Sequence, residues 1–197
     1  MEDELKELLQ RCQNADRSAQ SSLYQRFSSK VYATALRYTD SPDEAADIAQ
    51  ESWIKVFRHL SKFTEFNSFE GWVRRITVNT AITHYRRNLK HRYHDDASES
   101  LALPQDLEAA KEADFTMEEI QRALQSLPRG YRTVIQLYII EGFSHKEIAE
   151  QLAVDVNTSK SQLSRGRKLL QATLSSMGQR ARPVPPEESG ASSFHSD

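Results

Sequence analysis

In the stretch DVNTSKSQLSRGRKLLQATL, Asp155 to Leu174, every charged side chain after the first residue is basic. With Asp155 as the N-cap of a helix, Ser159, Leu163, Gly166 and Leu170 recur at spacings of 4, 3 and 4 and share one inward face. Lys160, Ser161, Ser164 and Arg165 then project from the early turns, with Asn157 and Thr158 at the tip and Arg167 and Lys168 further along. The chemistry open to this set is hydrogen-bond donation. Guanidinium and ammonium groups pair with guanine edges and phosphate oxygens, and hydroxyls serve several bases, when a helix end enters the major groove. A helix that contacts only protein, or whose basic residues meet only water, could carry the same composition.

A second set lies in Gly71 to His94, which contains no Asp or Glu and carries Arg74, Arg75, Arg86, Arg87, Lys90 and Arg92. Phe69, Val73, Ile76 and Thr80 form the inner row of a helix whose outer stripe is Arg75, Asn79, Thr83, Arg86 and Lys90, flanked by Trp72 and Tyr85. Cations beside rings suit single-stranded nucleic acid, because the charges neutralise phosphates and each stacked base gains ~1 to 3 kcal/mol. The stripe alone suits a solvated basic face with core aromatics equally well. The net charge of -2 conceals both sets. It arises because Asp95, Asp96, Glu99, Asp106, Glu108, Glu112, Asp114, Glu118 and Glu119 lie between them, with Lys111 the only base in that span.

The elements that must position these residues are helices. No run alternates with period 2, no Asn-Gly or Asp-Gly turn occurs, and Gly is scarce, so the expected fold class is all-α. Ser41 as N-cap, Pro42 at N1 and Glu44 at N3 predict a capping box. The helix they open has Ala49, Trp53, Val56 and Leu60 as its buried stripe and Asp47, Gln50, Glu51 and Arg58 on polar faces. Asn67 and Glu70 predict the N-cap and N3 of the next helix. ASESLALPQDLEAAKEAD reads as a flexible acidic linker. After it come FTMEEIQRALQSL, Pro128, RGYRTVIQLYIIEG ending at Gly142, and FSHKEIAEQLAV. In that last segment Ser144 and Glu147 predict another capping box, and Phe143 and Ile148 a hydrophobic staple. The short turn Ala153 to Asp155 then makes a helix-turn-helix with the basic helix. The expected architecture is two small helical domains, 1–94 and 115–177, joined by the linker 95–114. The tail 178–197, rich in Pro, Ser and Gly, is expected to be disordered.

Several classes of function lack their residues. There is no G-x-x-x-x-G-K, H-E-x-x-H or G-x-S-x-G, and the His residues are scattered. His91 and His94 beside Asp95 are expected to face phosphate or solvent, so neither metal nor cofactor is expected. The lone Cys12 has no disulfide partner and reads as a core residue. No apolar run reaches the ~20 residues of a membrane span, and MEDELKELLQ is acidic where a secretory signal is basic, so the expected compartment is the cytoplasm.

These segments, in this order, resemble bacterial RNA polymerase sigma factors of the extracytoplasmic-function group, which keep only the second and fourth sigma regions. The likeness runs from about Leu5 to Met177 and is most specific in DIAQESWIKVFRHL, FEGWVRRITVNTA and SHKEIAEQLAVDVNTSKSQLSRGRKLL. It implies that Asp47, Gln50, Glu51, Trp53 and Phe57 dock on the clamp coiled coil of the polymerase's largest subunit, with the flap as a further contact. It implies that the loop Phe63 to Ser68, with Phe66, Asn67 and Asn79, captures a flipped base of the -10 element. Trp72, Arg75, Thr83, Arg86 and Lys90 would hold the melted strand. It matches Asn157, Thr158, Lys160, Ser161, Ser164, Arg165, Arg167 and Lys168 to the reading of -35 duplex. An acidic linker would occupy channels built for polyanions, and an anti-sigma factor would mask the whole. This sequence departs from the family at Ala153, where Gly is frequent, at Gly166, where Ala is usual, at Ser159, usually apolar, and at Phe66. The rival readings are a free-standing helix-turn-helix regulator, whose first domain would show an apolar ligand pocket, and a helical adaptor, which leaves both acid-free stretches unexplained.

Overall fold

A computed structural model describes residues 2–64, 68–92 and 115–180. Phe66, Asn67, His94, the linker 95–114 and the tail beyond residue 180 lie outside the described residues, as does the side chain of Lys90. The described chain is helical: α1 (Glu2–Gln13), α2 (Arg17–Leu36), α3 (Pro42–His59), α4 (Phe69–Arg92), α5 (Met117–Gln125), α6 (Arg129–Ile135), α7 (His145–Leu152) and α8 (Val156–Arg180). None of these helices is long and apolar enough to cross a membrane.

The first four helices pack around Leu9, Leu23, Phe27, Val31, Val56, Leu60, Phe69 and Val73. Phe69 meets Phe27 edge-on at 5.2 Å and Phe63 at 5.5 Å between ring centres, which fixes where α4 begins. Asp16 starts α2 by accepting from the Ala19 N–H, and Ser41 starts α3 by accepting from the Glu44 N–H. The expected reciprocal half of the second cap is not made. The Glu44 carboxylate turns to Arg129 and Asn88 instead. Glu70 reaches Lys30 at 2.7 Å, and its expected cap partner Asn67 lies outside the described residues. The buried stripe of α3 is Ala45, Ile48, Ser52, Trp53 and Val56, with Ala49 only partly covered.

In the second half, Thr116 with Glu119 and Ser144 with Glu147 form complete capping boxes on α5 and α7. The expected helix from Arg129 to Gly142 changes register midway. After Ile135 a single π turn, Gln136–Ile140, carries the chain to Gly142 at φ 76°. Phe143 and Ile148 enter the same core, as a staple requires. Ala153 ends α7 in the left-handed region at φ 56°, ψ 47°, and the Val154 N–H closes back onto the Ala149 carbonyl.

Gly166 lets α8 lie close against α6. A Cβ there would stand 2.8 Å from Ile135 Cδ1 and 3.1 Å from Tyr131 Cβ. Alanine would gain ~1 kcal/mol of helix propensity, but overpacking costs ~1 to 3 kcal/mol. Gly166→Ala is therefore expected to lower the urea midpoint; a higher midpoint would show that Ile135 swings aside freely.

The two halves share a core. Tyr38, Ala45, Ile48, Val78, Ile82 and Tyr85 from the first pack with Leu127, Ile135, Leu137, Ile148, Leu152 and Leu163 from the second. Where α2 unwinds, four successive carbonyls point at the second half. Leu36 accepts from Gln125 at 3.1 Å, Arg37 from Gln136 at 2.7 Å, Tyr38 from Arg129 at 3.0 Å, and Thr39 from Arg132 at 3.0 Å. Burial, with the Glu141 carboxylate nearby, pushes the Tyr38 hydroxyl well above its usual pKa.

Candidate nucleic-acid interface

The basic helix α8 is mounted as its spacing predicts. Asp155 accepts from the Asn157 N–H at 2.7 Å, and Ser159, Leu163 and Gly166 are buried, with Leu170 partly so. Ser159 is fully buried, and its hydroxyl lies 3.0 Å from His145 Nδ1, which replaces an apolar contact between α7 and α8 with a polar one. Asn157, Lys160, Ser161, Ser164, Arg165, Arg167 and Lys168 are exposed, and Thr158 is half-buried. The Arg167 guanidinium sits 5.8 Å from the Tyr138 ring centre, and that ring stacks on His145 at 4.6 Å. Arg167 is thereby held back toward the π turn. Among the described residues Lys160 and Arg165 have no such anchor, and they are exposed on the first turns with Ser161 and Ser164.

On α4 the expected inner row is inward: Phe69, Val73 and Thr80 are buried and Ile76 partly so. Arg75, Asn79 and Arg86 are exposed and Thr83 half-buried, so the stripe is real through Arg86. Tyr85 departs from expectation. It is buried between the halves with the Arg129 guanidinium 5.3 Å from its ring centre, and its face is not offered to a base. Trp72 does face outward in part. It stacks at 4.7 Å on the buried Phe63, at the wall of a cleft of about 600 Å³ lined also by His59, Lys62, Thr64, Ser68, Gly71 and Arg75. An aromatic floor with cations at the rim is what a base and its phosphates need. Asn79 stands one turn along α4 from Arg75, beyond the cleft's lining. His59 and Lys62 were not singled out from sequence; a turn Leu60–Lys62 after α3 brings them there, and only the helix end at His59 hinted at it.

The third set lies on α3. Asp47 and Gln50 are exposed. Trp53 is only 5% exposed and packs between Tyr24 and Phe57, at 5.1 and 5.4 Å, so it shapes this face from beneath rather than contributing surface. Phe57 is half-covered. Ile54, which sequence reading passed over, is 52% exposed one turn from Gln50. Glu51 bonds Lys55 at 2.8 Å and His84 at 2.7 Å, and the Lys55 contact foremost holds its carboxyl down to about 2. A depressed carboxyl stabilises the fold above its unfolded value, near 4.5, and loses that stabilisation as pH falls toward about 2. Glu51→Gln is expected to flatten the fall of the urea midpoint across that window, and an unchanged acid limb would contradict the pairing.

Residues 23–91 match the family model "Sigma-70 region 2" and residues 117–170 match "Sigma-70, region 4". The sigma factor SigW of Bacillus subtilis is 31% identical over 188 residues, covering 88% of this chain and 98% of SigW. The chain belongs to the extracytoplasmic-function sigma factors. It is a promoter-directing factor of RNA polymerase. SigE of Mycolicibacterium smegmatis is 34% identical over 158 residues, covering 75% of this sigma factor and 58% of SigE. Among solved structures, RpoE of Bartonella quintana, in complex with the anti-sigma factor NepR, is 21% identical, covers 78% of the chain and 95% of RpoE, and has a TM-score of 0.45. Region 2 of this sigma factor thus begins within α2 and takes in α3 and α4, and region 4 runs from α5 into α8.

Proposed function

We propose that this sigma factor docks on the clamp coiled coil of core RNA polymerase through Asp47, Gln50, Glu51 and Phe57 of α3, with Trp53 supporting them. In this reading the cleft at Phe63 and Trp72 takes a flipped base of the -10 element. Arg75, Asn79, Thr83 and Arg86 hold the strand beside it, and Phe66, Asn67 and Lys90 are assigned to the same strand. The early turns of α8 read the -35 duplex, and region 4 also meets the flap. The observation that carries the reading is that two acid-free cation sets, each mounted on a buried row, stand exposed in one chain. A free-standing regulator needs an apolar ligand pocket in its first half, whereas the cleft at Trp72 is rimmed by His59, Lys62 and Arg75, and the one at Val31 and Val73 by Lys30, Arg37, Glu70 and Arg74.

The functional division is 1–94 for clamp and -10 binding, 95–114 as tether, 115–177 for -35 binding and 178–197 as an accessory tail. The factor acts in the cytoplasm without cofactor, metal or catalysis of its own, and an anti-sigma factor restrains it. Flipping a base costs a few kcal/mol, and Asn79 offers its amide to the exposed pairing edge. Run-off transcription with purified core polymerase on genomic promoter fragments tests the whole. Transcripts that need the protein, and fall sharply with Asn79→Ala, are expected. Binding of promoter fragments by the protein alone, with no transcript under any condition, would favour the free-standing regulator.

A further inference from the structure

The helix α1 lies outside the residues matched to region 2, which begin at 23, and none of the partner surfaces includes it. Its inner face is ordinary core, since Leu9 and Cys12 are buried in one cluster with Leu60, Phe63 and Phe69. Its last residue is different. Gln13 is half-buried, and its side-chain amide donates across the chain, to the Leu60 carbonyl at 3.0 Å and to the Phe63 carbonyl at 2.9 Å. Those partners lie 47 and 50 residues further on. An amide nitrogen carries two hydrogens, so this donor is fully spent on two backbone atoms. The helix end that carries it is fixed in turn. Ala15 turns the chain at φ 61°, and Arg11 closes the corner onto Asp16, the N-cap of α2, at 2.8 Å.

What Gln13 holds is the wall of the cleft at Trp72. Leu60–Lys62 is a single short turn, and Phe63 leaves it extended at φ -82°, ψ 120°. The turn closes through the Phe63 N–H to the Leu60 carbonyl at 3.1 Å. Gln13 adds a second donor to that carbonyl and also ties the carbonyl of Phe63. On its other side the Phe63 ring stacks on Trp72 at 4.7 Å and meets Phe69 at 5.5 Å. Phe63 is thus gripped twice, by its ring from α4 and by its carbonyl from α1. Lys62 and Thr64, its neighbours in sequence, line the same cleft and take their positions from it, whereas Gln13 stands outside the lining. Recognition groups must be held within ~0.5 Å, and residues beyond a helix end reach that only with a further set of contacts behind them. We infer that Gln13 is a positioning residue for base capture: its amide sets the Phe63 backbone from behind, and with it the spacing between the Trp72 ring and the Lys62 and Thr64 side chains. The effect on base preference rests on the cleft being the -10 site; the grip on the turn does not.

Gln13→Met keeps the length of the side chain and the helix propensity of α1 while removing both donors. Gln13→Lys puts donors back at nearly the same reach. In the full chain, hydrogen exchange of the Phe63 amide, followed by NMR, reports the turn. Exchange about tenfold faster is expected in Gln13→Met, and exchange near the parent's in Gln13→Lys. Run-off with core polymerase on promoter fragments randomised at the -10 element, read by sequencing, reports recognition. Preference for one base at the captured position is expected to fall about fivefold in Gln13→Met and to return in Gln13→Lys, with -35 preferences and the urea midpoint near those of the parent. The added charge of lysine raises phosphate affinity for every sequence alike and so cancels from a ratio between bases. Unchanged exchange in Gln13→Met would overturn the grip. Faster exchange with unchanged base preference, or an equal loss at every promoter position, would overturn the positioning role, as would a Gln13→Lys chain that restores the turn and not the preference. Absence of run-off from parent and variants alike would tell against the sigma reading of the cleft instead, and the exchange rates would still decide the grip.

Discussion

Lys160→Ala combined with Arg165→Ala is expected to weaken binding of region 4 to a -35 duplex by ~30-fold or more. A well-placed Arg or Lys on a base edge contributes ~1 to 3 kcal/mol of discrimination, and two such losses compound. Both side chains are exposed on α8, while its packing rests on Ser159, Leu163 and Gly166, so thermal stability should stay near that of the parent. Fluorescence anisotropy on matched and scrambled duplexes at two salt concentrations separates the roles. Loss confined to the matched duplex means base reading. A uniform loss with a shallower salt dependence means phosphate contact, and moves sequence reading to Asn157, Ser161 and Ser164. No loss on either duplex would remove the early turns of α8 from the interface.

Arg132→Ala is expected to cost about 3 to 5 kcal/mol of stability, the scale for breaking a buried charge from its partners. The side chain is 1% exposed, so its removal leaves a void, while Thr39 O and Gln125 O lose their donor. Asp40 is more than half exposed and recovers water, which places the cost toward the lower end of that range. Because Arg132 bonds both halves, a urea titration should show region 4 unfolding ahead of the α1–α4 bundle, whose own core does not include it. A single transition at the parent midpoint would mean that water replaces the guanidinium at little cost.

What could be read from the sequence was local. Ser144 with Glu147 signals the start of α7 within four residues, and Ser159, Leu163 and Gly166 announce the inner face of α8 by spacing alone. Ala153 fell in the left-handed region for the same reason: the turn is too short for any other exit. The misreadings came from partners far along the chain. Glu44 has the right place for a capping box, but an arginine 85 residues later offers two hydrogen bonds and a stronger charge. Tyr85 flanks a cationic stripe and so reads as a stacking ring, yet its burial depends on α6 and on Arg129. Nothing in the sequence marks Arg132 as buried, because periodicity cannot say that a second bundle will lie over it. The π turn after Ile135 has no local signature either.

The contact between the end of α2 and α6 also bears on how such a chain can be recombined. A linker suggests that regions 2 and 4 are interchangeable modules, to be exchanged between relatives by splicing at 95–114. Here the boundary that matters is a surface. A foreign region 4 lacking counterparts of Gln125, Arg129, Arg132 and Gln136 would leave the end of α2 uncapped, and a foreign region 2 lacking Asp40 and Glu44 would leave two arginines facing no acid. Chimeras should therefore succeed or fail according to those six positions rather than the splice point, and substitutions at Glu44 and Arg129 should be inherited as a pair.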